Sequence, residues 1–513
     1  MIQKKITQIK ENRAISDPLP EGSAPVTSSW PFKIHGRSDS RPEAKRWDTF
    51  FNLESRSRLG STLKDSTNVS KPDLSEKPLV SIALGTARPH PEFFPWDSMT
   101  FQTQEPTGIP SSGTGFTCSK GEDDFDLSSI LNYGQPVGSP QLLRFVTEHV
   151  EMIHDPPYFD WESCITSGTT VALDSLFRMF CERGDWILME EYTYTGTLEA
   201  IRPLGINIQG IKMDSEGLLP DDLDEKLDSW DSRRGQKPTL LYTIPSGQNP
   251  TSFTQSAERR KAIYQVAERH NLLIIEDDPY YFLRLDSTGK SHEPSAAASI
   301  DEYLEHLPPS YLSLDVSGRV VRLDSTSKYL APGLRIGWLT ASSQVVEKFL
   351  LQTTFSSMAP SGFSQVALHK LLDVQWGHDG FLHWLATLSY RYRQRRDVLI
   401  SACTRYLPLQ VCSWDVPSVG MFLWVRVALP DRRTNGIVNG ERKALFQGVE
   451  ERIYQRARAN GVVVAKGSWF SAGPPATGPE MRFRLTFAAA PAESLDQAIA
   501  RFAEAVKSEM SIE

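Results

Sequence analysis

Strand-like and helix-like segments alternate along the middle of this chain, and this alternation restricts its possible folds most. Such units occupy residues 164–185, 185–205 and 206–214, and later ones lie at 238–251, 256–271 and 272–283. Strands that are rich in Leu, Ile and Val and alternate with helices are typical of an α/β domain with a largely parallel sheet. The sequence therefore predicts a large α/β domain over residues 120–360.

The residues before and after this domain differ from it in composition and in the pattern of their apolar residues. Residues 1–76 are polar and rich in Ser, Pro, Lys and Arg, which predicts an extended, partly disordered arm with at most one helix around residues 41–57. Residues 77–119 contain apolar runs broken by Pro and Gly, and we expect them to contribute to the small domain and the substrate site. Helical stretches that flank short strands predict a smaller α+β domain over residues 361–513.

Composition narrows the class of protein. The formal net charge of -8 argues against a nucleic-acid binder, which would need a basic face. The first residues are charged rather than apolar, and no apolar run reaches the length of a membrane span. Five scattered cysteines without a CxxC pair argue against a metal cage and predict buried thiols in a reducing compartment. We therefore expect a cytoplasmic enzyme without metal, membrane or nucleic-acid partners.

The strongest candidate site lies at residues 321–338, where a strand-like run ends in a polar turn. Lys328 follows that run and is flanked by small hydroxyl residues. A lysine that is sheltered enough to lose its proton can form a Schiff base. The nearby Ser325, Ser327 and Arg335 are donors that suit a dianionic phosphate. Taken alone, this lysine is more simply interpreted as a solvated residue in a polar turn.

A second candidate is the acidic end of the apolar strand at residues 272–283. Asp277 would lie at the carboxyl end of a buried parallel strand, where α/β sheets bind ligands, and could keep a ring nitrogen protonated. Tyr280, three residues later, could reach a phenolic oxygen. For Glu276 or Asp278 singly, a solvated loop of acids is the simpler interpretation.

Two polar turns that follow strands complete the candidate set. Asn249 precedes Pro250, which restricts its backbone and so the direction of its side chain. Residues 167–170 read Ser-Gly-Thr-Thr before a predicted helix, and free amides at a helix start can bind an anion. A plain turn and simple helix capping are the respective alternatives.

These four segments occur in an order and context that match one known pattern. The specific blocks are S-x-S-K followed by G-L-R-I-G, and D-x-P-Y; the S-G-T-T and N-P-T blocks are weaker but correctly placed. Over roughly residues 79–505, the chain resembles the fold-type I aminotransferases of class I/II, which depend on pyridoxal 5'-phosphate (PLP). Within that group it is most similar to the eukaryotic aromatic amino acid and 2-aminoadipate/kynurenine aminotransferases. The resemblance implies a PLP-dependent transferase-like large domain.

The resemblance implies a role for each residue near the reacting atoms. Lys328 would bind PLP covalently and later move the substrate proton, and Asp277 would pair with the pyridinium nitrogen. Tyr280 and Asn249 would hydrogen-bond the phenolic oxygen of PLP, and Tyr194 would stack on its ring.

The resemblance also implies a phosphate cup, a substrate grip and a partner subunit. The cup residues would be Thr169, Thr170, Ser325, Ser327 and Arg335. Tyr133 would reach the phosphate of the neighbouring subunit in a homodimer. Arg484 would grip the substrate carboxylate in a bidentate fashion, with Arg482, on the same side of the predicted strand, as its rival.

The sequence departs from the family pattern in two places. Thr86-Ala87-Arg88-Pro89 stands where relatives have Gly-Gly, so Ala87 would contact the substrate, and Arg88 and His90 could alter what fits. The turn that carries Thr169-Thr170 has Ser-Gln or Asn-Thr in many relatives, a difference that a phosphate site tolerates.

The function implied is transfer of an amino group between an amino acid and a 2-oxo acid. We expect an aromatic donor (Tyr, Phe, Trp or kynurenine) and an acceptor such as 2-oxoglutarate or phenylpyruvate. The alternatives are a 2-aminoadipate aminotransferase, a PLP lyase or decarboxylase, and a PLP-fold transcription regulator. A regulator would need a helix-turn-helix module before the domain, and residues 1–76 predict one helix at best.

Overall fold

The chain folds into two compact units, each assembled from two separate stretches of sequence. The computed structural model describes residues 2–21, 24–36, 39–60, 84–85, 87–104, 115–285, 298–429, 439–473 and 480–512. Unit 1 comprises Met1–Glu182 and Leu312–Leu382, and unit 2 comprises Arg183–Tyr311 and His383–Glu513. The domain boundaries expected from the sequence stay a prediction.

The helices account for most of the regular structure in the described residues. In chain order they are α1 (Ile2–Ile15), α2 (Leu53–Ser57), α3 (Leu127–Ile130), α4 (Pro140–Ile153), α5 (Thr169–Phe180), α6 (Thr195–Ile201), α7 (Pro220–Asp228), α8 (Ala257–Arg269), α9 (Ala298–Glu305), α10 (Tyr311–Leu314), α11 (Ser343–Thr354), α12 (Gly362–His369), α13 (Gly377–Tyr406), α14 (Asn439–Ala459) and α15 (Ala492–Met510). A π-helix, Lys370–Trp376, separates α12 from α13.

The strands are shorter than the helices. In chain order they are β1 (Ser98–Gln102), β2 (Gly115–Ser119), β3 (Trp161–Thr166), β4 (Trp186–Glu190), β5 (Asn207–Ile211), β6 (Met213–Asp214), β7 (Gly217–Leu218), β8 (Leu240–Thr243), β9 (Leu273–Asp277), β10 (Val320–Ser325), β11 (Gly337–Ser342), β12 (Cys412–Trp414), β13 (Phe422–Ala428), β14 (Ala465–Lys466) and β15 (Glu480–Thr486).

Unit 1 contains three neighbouring antiparallel strands in the order β3-β11-β10. Helices α5 and α11 pack against them, and α4 packs against β3. The side chains at these contacts, such as Trp161, Phe177 and Leu339, are buried. Ser325, at the end of β10, pairs with Gly337, which also pairs with Thr166 at the end of β3. This register brings the ends of two strands to either side of one glycine.

Helix α1 is an element that the sequence did not predict. Ile2, Ile6 and Ile9 are its buried residues, and their spacing of four and three places them on one helical face that contacts α4. The single helix expected around residues 41–57 is wrong: this stretch holds only a 3-10 turn, Asp48–Phe50, and the short α2. The Pro residue and mixed polar pattern of that stretch leave too few apolar residues in helical register.

Unit 2 contains four neighbouring parallel strands in the order β9-β8-β4-β5. Every residue of β8 and β9 is buried, as expected for parallel strands covered on both faces. These parallel strands alternate along the chain with helices, so the predicted α/β fold class with a mainly parallel sheet is confirmed.

Unit 2 also contains an antiparallel sheet of four strands in the order β12-β13-β15-β14. Helices α14 and α15 pack on each other, and buried residues of both join a cluster with Leu423, Val425 and Phe483. These helices and antiparallel strands have the α+β arrangement that the sequence predicted for the C-terminal part of the chain. Within the described residues, no helix is both long enough and apolar enough to cross a membrane.

Candidate active site

Gly168 and Arg335 lie against each other at the start of α5, in unit 1. Gly168 has a φ of +89°, and a Cβ atom built on it would lie 2.3 Å from Arg335 Nη2. Arg335 itself is in the left-handed region, with φ 51° and ψ 43°, and its Nη1 lies 3.5 Å from Ser327 Oγ. Only glycine leaves the space that the guanidinium occupies here.

The first turn of α5 adds backbone donors beside this cation. Thr169 and Thr170 open the helix, and its first turn contains no acidic residue. A helix start with free N–H groups and no compensating acid favours an anion. We call Gly168, Thr169, Thr170, Ser325, Ser327 and Arg335 the phosphate cluster, because its charge and donors suit a dianion.

Lys328 lies in the turn that follows β10 and is half-buried. The turn is anchored by Thr326, whose backbone N–H and Oγ1 both donate to Ile336 O, at 3.2 and 2.8 Å. Leu330 N in turn donates to Thr326 O at 2.9 Å. The lysine therefore sits on a fixed piece of backbone that starts at the same strand end as the phosphate cluster.

Two other sequence candidates lie in exposed parts of unit 1. Tyr133 is 54% exposed. Ala87 is exposed as well, and Thr86 lies outside the described residues. His90 caps a 3-10 turn, where its Nδ1 accepts a hydrogen bond from Glu92 N. Among the described residues, no hydrogen bond joins Tyr133 or Ala87 to the phosphate cluster.

In unit 2, Asp277 ends β9 as a buried carboxylate. Tyr242, on the neighbouring strand β8, donates a hydrogen bond from its hydroxyl to Asp277 Oδ2 at 2.8 Å. Thr197 Oγ1 donates to the Tyr242 hydroxyl at 3.0 Å. The carboxylate is thus held by donors from β8 and α6 at the end of the parallel strands.

Arg484, Asn249 and Tyr280 form a group beside Asp277 in the same unit. Arg484 Nη1 donates to Asn249 Oδ1 at 2.6 Å. Burial and the charge of Asp277 raise the pKa of Tyr280, while Arg484 and a hydrogen bond with Asn249 oppose that rise. The pKa of Arg484 is lowered by burial, and Tyr280 and Tyr194 act in the opposite direction. These side chains are close enough to influence one another's charge.

The two rival arginines of β15 have different partners. Both lie on the same, partly buried face of the strand, as their spacing predicts. Arg482 donates to the Tyr192 hydroxyl at 2.6 Å, whereas Arg484 lies over the rings of Phe422 and Phe470, 4.5 and 4.8 Å from their centroids. The structure therefore brings Arg484, and not Arg482, into hydrogen-bond contact with another predicted site residue.

Tyr194 precedes the first residue of α6 and is placed by a glycine. A Cβ atom on Gly196 would lie 2.5 Å from the Tyr194 ring, so the ring lies directly over the glycine. A larger residue at position 196 would therefore displace the tyrosine ring.

The interpretation of Glu276 and Asp278 as a solvated loop of acids is wrong. Both are fully buried, and Arg260 Nη1 lies 4.0 Å from Glu276 and 3.9 Å from Asp278. Glu276 also accepts from Tyr311 N at 2.8 Å, and Asp278 accepts from Ser246 Oγ at 3.1 Å. The acids fix the backbone on both sides of Asp277, because buried carboxylates need charged or hydrogen-bonding partners.

Comparison with known proteins decides the family. A family model described as aminotransferase class I and II matches residues 119–502, which is more than half of the 513 residues. The chain belongs to this family. It is an aminotransferase that uses PLP, and its substrates are amino acids and 2-oxo acids.

Individual relatives cover nearly the whole chain. Aminotransferase swnA of Arthroderma benhamiae is 48% identical over 473 residues, which are 91% of this chain and 92% of that protein. An aromatic amino acid aminotransferase of Schizosaccharomyces pombe is 39% identical over 474 residues, 89% of this chain and 96% of the relative. The crystal structure of the aminotransferase Aro8 from Candida albicans matches with a TM-score of 0.80 and 36% identity, covering 92% of this chain and 100% of that one.

The residues present fit PLP. The space over Gly168 admits a cation that suits the phosphate, and the α5 start adds neutral donors. In unit 2, Asp277 offers a buried carboxylate for a protonated ring nitrogen, and Tyr194 offers an aromatic face. When bound, PLP supplies an electron sink for the bonds around the substrate α-carbon.

Sequence reasoning missed three buried residues of this aminotransferase that lie on strands and a helix beside Asp277. Tyr242 and Thr197 contact Asp277 as a chain, and Glu190 is a buried carboxyl group whose pKa is raised to about 7 by burial. A signal existed for Tyr242, because a tyrosine inside a fully buried parallel strand needs a partner for its hydroxyl. No comparable signal identifies Thr197, whose contact depends on the placement of α6.

Proposed function

We propose that this aminotransferase acts on aromatic amino acids, such as Tyr, Phe, Trp or kynurenine, with 2-oxoglutarate or phenylpyruvate as amino acceptor. The observation that carries the proposal is the position of Arg484 over the rings of Phe422 and Phe470. A carboxylate-binding cation that is bordered by aromatic rings favours a substrate with a large apolar side chain.

The names of relatives support the same substrate class. The Schizosaccharomyces pombe relative is named as an aromatic amino acid aminotransferase, and it matches 89% of this chain. The Aro8 structure matches the chain over most of its length. We also infer a cytoplasmic homodimer, supported by five buried thiols and by the exposed Tyr133.

Each site residue has a proposed task. Arg484 binds the substrate carboxylate, and Asn249 holds one arm of that guanidinium, which fixes the direction of the substrate Cα–H bond. Lys328 would take the proton from the substrate α-carbon, hold it as an ammonium group and pass it to the cofactor, and in the second half-reaction it would deliver a proton to the α-carbon of the product amino acid. Asp277 maintains a negative charge for the ring nitrogen, and Tyr280 and Asn249 hydrogen-bond the phenolic oxygen.

A donor panel tests the substrate proposal. The purified enzyme with PLP receives single amino acids together with 2-oxoglutarate or phenylpyruvate, and the new amino acids are quantified. We expect kcat/KM to be highest for aromatic donors. A preference for 2-aminoadipate or another aliphatic donor would overturn the aromatic proposal and keep the reaction.

The variant Lys328→Ala tests the proposed base in the same assay. We expect loss of turnover together with loss of the borohydride-reducible chromophore, and Lys261→Ala, which changes an exposed lysine of α8, serves as the matched control. Substantial transamination by pure Lys328→Ala would contradict the role of this lysine.

A further inference from the structure

The Asp277 carboxylate is hydrogen-bonded by a buried group of residues. The proposed function assigns these residues no contact with the substrate or with PLP. We propose that Tyr242, backed by Thr197, is the positioning residue that fixes the orientation and the negative charge of Asp277. The inference rests on the proposed function, in which Asp277 pairs with the ring nitrogen of PLP.

The contacts form one short chain through the interior of unit 2. Thr197 Oγ1 donates to the Tyr242 hydroxyl at 3.0 Å, and that hydroxyl donates to Asp277 Oδ2 at 2.8 Å. All three side chains are buried. Water therefore does not compete for these groups, and the geometry is set by β8, β9 and α6.

The direction of the two hydrogen bonds follows from the number of protons. A phenol has one proton, so a Tyr242 hydroxyl that accepts from Thr197 must give its own proton to Asp277. Burial and the charge of Asp277 raise the pKa of Tyr242 well above its usual value. Tyr242 thus keeps its proton at neutral pH and donates it to Asp277 Oδ2.

The energetic reason for such a donor is the cost of a buried charge. Burial alone favours the neutral, protonated form of a carboxyl group, which could not balance a protonated ring nitrogen. A hydrogen bond to the charged form favours ionisation and also stops rotation of the carboxylate about its last bond. Tyr242 supplies both effects without contacting PLP.

The chain also connects Asp277 to the aromatic residue of the site. Thr197 N donates to Tyr194 O at 3.1 Å, so the first turn of α6 connects Tyr194 with Tyr242 and hence with Asp277. The residue proposed to stack on PLP and the residue proposed to pair with its nitrogen share one hydrogen-bonded support.

The test uses Tyr242→Phe, which removes only the hydroxyl group. We expect the Kd for PLP, titrated into PLP-free enzyme at one pH, to rise about 10-fold or more, as for the loss of a hydrogen bond to a charged group. We also expect a change in the ratio of the visible absorption bands and a lower kcat, with the KM for the amino donor changed less than about two-fold, because Arg484 is untouched.

Matched variants separate this role from a general loss of packing. Tyr311→Phe removes an equally buried hydroxyl, which donates to Gln255 Oε1 at 2.6 Å, and we expect it to leave the PLP spectrum unchanged. Thr197→Val should reproduce part of the Tyr242→Phe effect, and Thr197→Ser, which keeps the hydroxyl, should restore normal values.

Asp277→Asn distinguishes failure of this inference from failure of the proposed function. If Asp277→Asn alters PLP affinity and spectrum but Tyr242→Phe leaves both unchanged, the positioning role is overturned and the role of Asp277 stands. If neither variant changes the PLP affinity or the spectrum, the proposed pairing of Asp277 with PLP is contradicted as well. Equal spectral changes in Tyr242→Phe and Tyr311→Phe would show loss of packing and would also overturn the positioning role.

Discussion

The hydrogen atom that stands in place of a side chain at residue 168 decides where the Arg335 guanidinium can lie. Gly168→Ala would place a methyl group 2.3 Å from Arg335 Nη2 in a backbone conformation with φ +89°. We expect the Kd for PLP to rise at least about 10-fold, since one charge-assisted contact is displaced.

The matched control is Gly121→Ala. Gly121 also has a positive φ, +75°, but a Cβ atom there would have open space around it. The Gly121→Ala variant has the same kind of backbone strain as Gly168→Ala but lacks the clash. Its affinity for PLP should therefore match that of the wild type. Equal weakening in both variants would assign the effect to strain and remove the argument for Arg335.

Glu190 gives the enzyme a pH-dependent stability. Burial raises the pKa of this carboxyl group from 4.5 to about 7, against the hydrogen bonds donated by Thr243 and Ile244. Between pH 4.5 and 7 the folded state therefore holds a proton that the unfolded chain has lost. Stability from this group is complete below pH 4.5, falls as the pH rises to about 7, and is constant above it.

Glu190→Gln should remove that dependence. We expect the variant to gain stability relative to the wild type between pH 5 and pH 8, by at most about 3 kcal/mol, the free energy that corresponds to this pKa difference. Chemical denaturation at both pH values measures the change, and Glu504→Gln, at an exposed position of α15, is the control. A difference that is the same at pH 5 and pH 8 would refute the raised pKa.

Helix α1 is attached to the rest of unit 1 by partly buried ion pairs as well as by its isoleucines. Arg13 Nε donates to Glu148 at 2.8 Å, and Arg13 Nη1 donates to Asp373 at 2.7 Å. The side chains of both acids are at most 5% exposed. Burial alone would lower the pKa of Arg13, but the pairing with Glu148 and Asp373 outweighs it and raises that pKa.

Arg13→Ala should therefore destabilise unit 1 by about 3 kcal/mol, because it leaves two buried carboxylates short of a cation. The free energy of unfolding from denaturant titration measures this, with Lys10→Ala, on the exposed side of α1, as the control. An unchanged midpoint for Arg13→Ala would show that the arm is not part of the folded unit.

The elements that the sequence predicted are those with strong periodicity. Helices α5 and α8 lie within the predicted units at residues 164–185 and 256–271, because their apolar spacing is unambiguous. The π-helix Lys370–Trp376 was not predicted, and Asp373 within it pairs with Arg13 and Arg144, which lie on other elements. Helix α1 was missed because its three buried isoleucines, Ile2, Ile6 and Ile9, lie in a segment whose overall composition is polar.

For the molecule as a whole, motifs that are close in sequence were predictable and contacts across the sequence were not. Asp277 and Tyr280 lie on one local segment, and their contacts with Tyr242 and Arg484 come from strands remote in the chain. The burial of Glu276 and Asp278 was missed because Arg260, which compensates them, lies on another element. The chemical roles of residues that are close in sequence could thus be predicted. Their burial and their hydrogen-bond and ion-pair partners could not, because these depend on the topology of the fold.

The expected homodimer can be tested by complementation. Tyr133 is exposed in unit 1, and by family resemblance it would serve the neighbouring subunit. Lys328→Ala and Tyr133→Ala subunits, each weak or inactive alone, should regain activity when they are mixed, because one of the two sites is then complete. Sedimentation of an active, PLP-bound monomer would contradict the dimer.

During synthesis of the chain, strand β3 of unit 1 is complete long before its partner strand has been made. Strand β3 ends at Thr166, but its partner β11 begins only at Gly337. At about 5–20 residues per second, the nascent chain carries β3 without this partner for roughly 10 to 30 seconds. During synthesis this strand has an unpaired, apolar edge, so chaperones that bind such edges should associate with the chain before residue 337 is translated.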